Sequence, residues 1–405
     1  MKPNVIFVIT HDVGPVYGCY GNRLIHTPNI DRLAVGSLRF DSHYCQWPLC
    51  GPSRASLFSG LRPMTTKRFN NSPFFHEFRS RAPEGFATLP EHFGQNGYTC
   101  FGTGWIYHDR PDGPSWNAGH RLPEPNPGPV PEWAEGWLDA DGLYEWQAPE
   151  SRELIRRRLA AAQEAGMTLE EFRTLAGERV ARGPAVEAAD VPDDAYYDGK
   201  VAAQARGFLT EHPAGEPYFL GVGFVAPHTP FRAPKHYWDL YKRHEMPLPE
   251  NRLPPEGTKP WMEGDSEPAQ YYTTHGYTKP WRANEEQLRE LLHGHYATIS
   301  YIDALLGSIV DAAGARGDWD NTIVVFTSDH GYSEGQHGYW GKHNLWDAAL
   351  HVPLLIRPAG GFRAGEPAAA ASAGAATAAP AGPARSSDGD GAAARRPGTP
   401  AAARA

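Results

Sequence analysis

Cysteine is scarce in this chain, with only Cys19, Cys45, Cys50 and Cys100 in 405 residues. Four are too few for a disulfide scaffold, so the sequence predicts a reducing compartment and leaves one thiol available for chemistry. Blocks of lysine or arginine are missing from the ordered part, and the formal net charge is −9. That argues against a nucleic-acid or membrane-surface role, and an anionic substrate must be drawn by local charge. Long apolar runs are missing too. The opening MKPNVIFVIT is too short to span a bilayer and no small-residue cleavage site follows it, so the chain as written is expected to be cytoplasmic, with no membrane segment. What is present in quantity is 12% aromatic and 40% hydrophobic residue content, enough for one large globular core or two domains.

Apolar runs alternate with helical stretches, which predicts an α/β fold with a mainly parallel sheet sandwiched between helices. The clearest strands are Val5–Thr10, Tyr98–Gly102, Tyr218–Val225 and Thr322–Thr327. Helices are expected at Asn29–Gly36, Arg54–Ser59, Leu89–Asn96, Arg152–Ala162, Leu169–Ala181, Asp194–Glu211 and Asn284–Ala313. Two segments rich in Pro, Gly and Trp, 109–149 and 244–283, read as long surface loops. From Gly361 to Ala405 the chain holds one aromatic and no aliphatic side chain larger than alanine, so this tail is expected to be disordered.

Three strands run into polar residues of one kind. His11 and Asp12 follow the first, Pro227 and His228 follow Tyr218–Val225, and Asp329 and His330 follow Thr322–Thr327. Parallel sheets gather their carboxyl ends on one edge, so these residues can meet there. Aspartate with histidine suits a metal ion. Any one such pair alone is more often a plain strand end. In CGPSR, Pro52 sets a turn and Arg54 opens a helix whose free N–H groups attract an anion beside Cys50. A plain cysteine there is expected to have a lowered pKa and act as a thiolate; the bland alternative is a half-buried packing residue.

At these residues the chain resembles the sulfatases of the alkaline-phosphatase superfamily. Their signature Cys-x-Pro-Ser-Arg is matched at Cys50, Pro52, Ser53 and Arg54. Further blocks follow in the family's order: NVIFVIT-HD, GCYGN, TPNIDRLA, ATLPEHFGQNGYTCFGTG, YFLGVGFVAPHTPFRAP and TSDHGYSEGQHGYWGKHNLWDAALHVPLLI. PHTPFRAP and the block from Ser328 to Pro353 are most similar to the iduronate-2-sulfatase-like branch. The resemblance implies an alkaline-phosphatase-like fold, with a catalytic domain at 1–360 ahead of the tail at 361–405.

It also implies a mechanism. A separate formylglycine-generating or anaerobic sulfatase-maturing enzyme would oxidise Cys50 to formylglycine, whose hydrated diol attacks sulfur with one hydroxyl and expels sulfate with the other. Arg54 would hold the diol. Asp12, Asp329 and His330, with the diol oxygen of residue 50 and His11 as ligand or near neighbour, would hold a divalent cation, calcium in most relatives, as a Lewis acid. Lys342 would oppose charge developing on the sulfate, with His228 as acid and His108 as base. The substrate implied is a sulfated sugar of glycosaminoglycan type. Alternatives are a phosphonate or phosphate monoester hydrolase of the same superfamily, and a catalytically impaired relic that only binds anions.

Three departures from the family pattern stand out. His11-Asp12 replaces two adjacent aspartates, and Trp105 in GTGWIYH stands where Gly-Lys-x-x-His has its sulfate-binding lysine. Removing one preorganised donor commonly costs about 3 kcal/mol of transition-state stabilisation, so reduced turnover, or a differently placed leaving group, is expected. After VPLLIRP the tail replaces the expected further strand and C-terminal subdomain, as a frameshift or truncated gene would produce. Trp116, Trp133, Trp137, Trp146, Trp261 and Trp281 are candidates to stack on sugar, with core packing the commoner fate. Cys19, Cys45 and Cys100 are read as packing residues, His26, His43 and His92 as surface or core histidines, and His337 and His343 as pocket residues.

Overall fold

A computed structural model describes residues 2–71, 75–108, 111–123, 146–168, 183–258 and 284–362. A seven-stranded sheet forms the centre. Its strands are β1 (Asn4–Thr10), β2 (Leu38–Arg39), β3 (Thr99–Gly104), β4 (His120–Arg121), β6 (Tyr218–Gly223), β8 (Thr322–Ser328) and β11 (Leu354–Arg357), in the order β2-β11-β8-β1-β6-β3-β4. From β8 to β4 every neighbouring pair is parallel; β11 joins β8 antiparallel and β2 joins β11 antiparallel. Two small ribbons flank it: β5 (Val186–Ala189) with β7 (Phe231–Pro234), and β9 (Ser333–Glu334) with β10 (Trp340–Gly341).

All seven residues of β1 are buried, as expected for a strand covered on both faces, where apolar residues run without a break. Successive side chains point to opposite faces. Ile6 and Val8 enter the core made with helices Pro28–Val35, Tyr197–Glu211 and Glu285–Ala315, while Val5, Phe7 and Ile9 meet Ala55, Phe58 and Phe93 from helices Cys50–Ser59 and Leu89–Gln95. Each fully buried Val, Ile or Phe of these layers contributes roughly 1.5–3 kcal/mol relative to exposure.

The four expected main strands and the helices near residues 28–35, 89–95, 149–164, 197–211 and 285–315 are present, with no end moved by more than three residues. Helix Cys50–Ser59 is a correction: it begins at Cys50, four residues before the expected start at Arg54. Pro52 lies in its first turn, where a missing N–H costs nothing, so the turn read from the sequence is helix. The expected helix Leu169–Ala181, nearly all of the expected tail, and Trp133, Trp137, Trp261 and Trp281 lie outside the described residues. Among the described residues no helix is long and apolar enough to cross a membrane.

Candidate active site

Four adjacent parallel strands deliver the nominated residues to one sheet edge. β8 ends in Asp329 and His330, β1 in His11 and Asp12, and β6 leads to His228, while β3 leads to Trp105 and His108. Cys50, in the first helical turn, lies among them. His11 Nε2 is 2.9 Å from Cys50 Sγ, 3.2 Å from Asp12 Oδ1 and 3.3 Å from Asp329 Oδ2. His330 Nε2 is 3.3 Å from Cys50 Sγ and 3.2 Å from Asp12 Oδ1. Outside this knot Lys342 Nζ donates to Asp12 Oδ2 at 2.6 Å, Arg54 Nε donates to Asp329 Oδ2 at 2.8 Å, and His228 Nε2 is 3.7 Å from Asp12 Oδ2. His108 joins less directly. The Trp105 indole N–H donates to the His108 carbonyl at 2.6 Å, and the two rings are 5.3 Å apart.

The backbone is bent to make this possible. Asp12 has φ 56°, a left-handed conformation uncommon for a non-glycine residue and concentrated at functional sites. Gly104 turns the chain from β3 into Trp105 with φ 75°, and a Cβ there would lie 2.2 Å from the Gly223 carbonyl oxygen. Arg54 ties the strand ends together: besides Asp329, its guanidinium donates to the carbonyls of Thr10 (3.3 Å), Ile106 (3.1 Å) and Trp105.

Sequence reasoning missed the outer supports. The Asp198 carboxylate accepts the backbone N–H groups of Val225 at 2.8 Å and Ala226 at 2.9 Å, fixing the turn that carries His228. Ser53 Oγ donates to the Asp329 carbonyl at 2.5 Å, and Asn71 Oδ1 accepts the Gly51 N–H at 2.8 Å. In the sequence Asp198 is one acid among several at a helix start; nothing in DDAYYDGK separates it.

Two carboxylates, Asp12 and Asp329, face the cations Arg54 and Lys342. Burial pushes the Asp329 carboxyl up, but His330, Arg54 and Lys342 outweigh it and hold it below the usual range. Burial, followed by His228, Arg54, Lys342 and His330, holds His11 neutral well below its ordinary value. Burial, with Arg54 and Lys342, pushes His108 down to about 4. For Cys50 the expectation of a lowered pKa is corrected. The thiol is 1% exposed and burial pushes it well up, with Asp12 and Asp329 adding to the rise against Lys342 and Arg54. A helix N-terminus is worth about 0.3–1 kcal/mol to an anion, whereas full burial shifts an ionisable group by up to about 3–5 pKa units.

These shifts predict an acid-sensitive fold. Unfolded histidines bind protons near pH 6.5 while folded His108 does so only near 4. The neutral-imidazole contribution is therefore complete above about pH 6.5 and is lost as pH falls toward 4, by about 2–3 kcal/mol for His108 after allowance for solvent screening. Urea unfolding from pH 7 to 4 should show the loss, and His108→Gln should flatten it by that amount.

The cluster fits a divalent cation. His11, Cys50, Asp329 and His330 each offer a ligand atom within 4.8 Å of the others, and so do His11, Asp12 and His228. The His330 Nδ1–H donates to the Gly331 carbonyl at 2.8 Å, which orients Nε2 toward Cys50 and Asp12. An imidazole held by a backbone carbonyl is the usual arrangement behind a metal ligand.

Among the other residues singled out in the sequence, the described tryptophans and cysteines pack within the fold. Trp116 and Trp146 are 4% and 3% exposed and pack in the interior, so neither presents a face to a sugar. Cys100 is buried, Cys19 and Cys45 are half-buried, and burial pushes the Cys45 thiol up to about 12. His26 and His92 are exposed and His43 half-buried. His337 lies beside Trp346 with ring centroids 4.4 Å apart and planes tilted by 56°, and the His343 backbone N–H donates to the Pro48 carbonyl at 3.1 Å.

Strand order and site edge together define the alkaline-phosphatase-like class of α/β folds. Within that class the chain belongs to the sulfatase family, whose sequence model matches residues 3–380. It is 31% identical over 370 residues to Homo sapiens iduronate 2-sulfatase, covering 87% of this chain and 59% of that one. It is 30% identical over 384 residues to a Formosa agariphila sulfatase, covering 88% and 64%. The chain thus spans about three fifths of the length of these relatives. In fold it is similar to the phosphonate monoester hydrolase of Agrobacterium radiobacter, with TM-score 0.59 at 24% identity over 89% of this chain and 68% of that one.

Proposed function

We propose that the protein hydrolyses sulfate esters of a sugar of glycosaminoglycan type, with residues 1–360 as the catalytic domain. The observation that carries this reading is the position of Cys50, enclosed by His11 and His330 and ringed by Asp12, Asp329, Arg54 and Lys342. Oxidised to formylglycine by a maturing enzyme, residue 50 would supply the nucleophile and a built-in exit for sulfate. His11, Asp12, Asp329, His330 and residue 50 would hold a divalent cation, which supplies Lewis-acid polarisation of the sulfate oxygens.

This chain's own residues do the rest. Lys342, now on Asp12 Oδ2, opposes charge growing on the transferred group. The His228 Nδ1–H donates to the Thr229 carbonyl at 2.6 Å, so Nε2 is the atom that hands a proton to the leaving oxygen. His108, neutral above about pH 4, is the proton acceptor, and its lowered pKa leaves it a weak one. Trp105 brings no charge to the sulfate; it walls off water beside His11.

The test is a paired assay on the sulfate, phosphate and methylphosphonate esters of one alcohol, using protein whose residue 50 peptide has been weighed by mass spectrometry. With the aldehyde present, the sulfate ester should turn over fastest. Faster phosphate or phosphonate turnover would assign the chain to the alternative hydrolase, and no turnover of any ester would assign it to the anion-binding relic.

A further inference from the structure

We propose that the cation site selects a zinc-like borderline ion over calcium, and that His11 sets this preference. The inference rests on the reading of the cluster as a divalent-cation site and adds to it the chemistry of the ion. Calcium takes six to eight oxygen ligands, whereas imidazole and sulfur donors suit zinc and its neighbours. Among the described residues, the groups able to hold an ion contain only two acids, Asp12 and Asp329, beside the imidazoles of His11 and His330; His228, whose Nε2 is the proton donor, and the Cys50 sulfur, lost on conversion to formylglycine, are left out of the balance.

Nor can the two acids readily supply more oxygens. Asp12 Oδ2 is engaged by Lys342 at 2.6 Å and Asp329 Oδ2 by Arg54 at 2.8 Å. Asp329 Oδ1 accepts the backbone N–H groups of Asp12 at 3.2 Å and His330 at 2.9 Å. Asp329 is thus engaged by protein donors on both oxygens and Asp12 on one, which disfavours the bidentate mode calcium uses. The imidazoles are better placed. His11 Nε2 and His330 Nε2 approach the same two atoms, Cys50 Sγ and Asp12 Oδ1, at 2.9–3.3 Å.

The two departures seen separately in the sequence meet here. The Trp105 ring stands edge-on to His11, centroids 4.6 Å apart and planes 82° to each other. With imidazole in place of a carboxylate at 11 and indole in place of an ammonium at 105, one negative and one positive charge are absent together. The fixed charges of Asp12, Asp329, Arg54 and Lys342 still cancel, and a divalent ion leaves the site with a net positive charge for an anion. Trp105 also fills the apolar side of the imidazole ring, which a lysine beside a cation would not do.

The test uses the full chain carrying Cys50→Ser, so that no thiol biases the result toward zinc. Metal-stripped protein is dialysed against equimolar Zn2+ and Ca2+, and bound metal is measured by mass spectrometry. About one zinc per chain and little calcium are expected, and adding His11→Asp should shift the zinc-to-calcium ratio by roughly 10–100-fold toward calcium, the range typical for perturbing a metal site. Calcium retained in preference to zinc, or a ratio unmoved by His11→Asp in a variant with an unchanged circular dichroism spectrum, overturns the proposal while leaving the cation site standing. Retention of neither ion overturns both. Should His11→Asp fail to fold, the competition on the His11 chain still decides for or against zinc.

Discussion

Sulfate-ester turnover in a Cys50→Ala variant should fall about 10⁵–10⁶-fold, the loss expected when the group that attacks is removed and only binding and electrostatic stabilisation remain. The folded state should survive. Cys50 is a small side chain in a cluster closed by ion pairs, and deleting one buried sulfur costs about 1 kcal/mol or somewhat more. A thermal melt within a few degrees of the parent, beside absent turnover, is the predicted pair of results. Cys50→Ser separates attack from release. Its hydroxyl can take up a sulfo group, but the ester it forms has no neighbouring hydroxyl to expel it, so at most one equivalent of alcohol should appear and the residue 50 peptide should gain one sulfo group. Sustained turnover by Cys50→Ala would remove residue 50 from the chemistry.

The second large effect belongs to Arg54 and concerns stability. Its guanidinium is buried, bonded to the Asp329 carboxylate and to carbonyls of Thr10, Trp105 and Ile106. Arg54→Met strands a buried carboxylate and three buried acceptors, and breaking a buried pair on one side costs about 3–5 kcal/mol. Against a typical total of about 5–15 kcal/mol this is a major share. Arg54→Lys keeps the charge but replaces a planar fork by a single ammonium, so most of the loss should remain. Urea midpoints with unchanged slope measure it. A lysine variant as stable as the parent would show that the guanidinium bonds are dispensable.

How far the sequence spoke can be traced residue by residue. β1, β6 and β8 were legible because strands buried on both faces are written as unbroken apolar runs. The two-residue strands β2, β4, β9 and β10 were not, being too short to carry a period. The start of helix Cys50–Ser59 was misread because Pro52 signals a turn as readily as a first helical turn. For the site, the polar strand ends led to the right edge, since parallel topology gathers them. What no local pattern could show was the pairing of Lys342 with Asp12, 330 positions apart, or the packing of Trp105 on His11. The thiol of Cys50 was misjudged for a related reason: a helix start is visible in the sequence, but the depth at which the fold buries it is not.

That depth also fixes a timetable. With Cys50 1% exposed, locked in a helical turn and enclosed by His11 and His330 just past the ends of β1 and β8, a second protein has no route to it once the sheet has closed. If residue 50 is oxidised by a partner, the oxidation has to happen on the extended chain, before strand β8 docks beside β1. Folding then acts as a clock that ends the window for maturation, and a chain that folds too early is left as a well-packed, inert thiol.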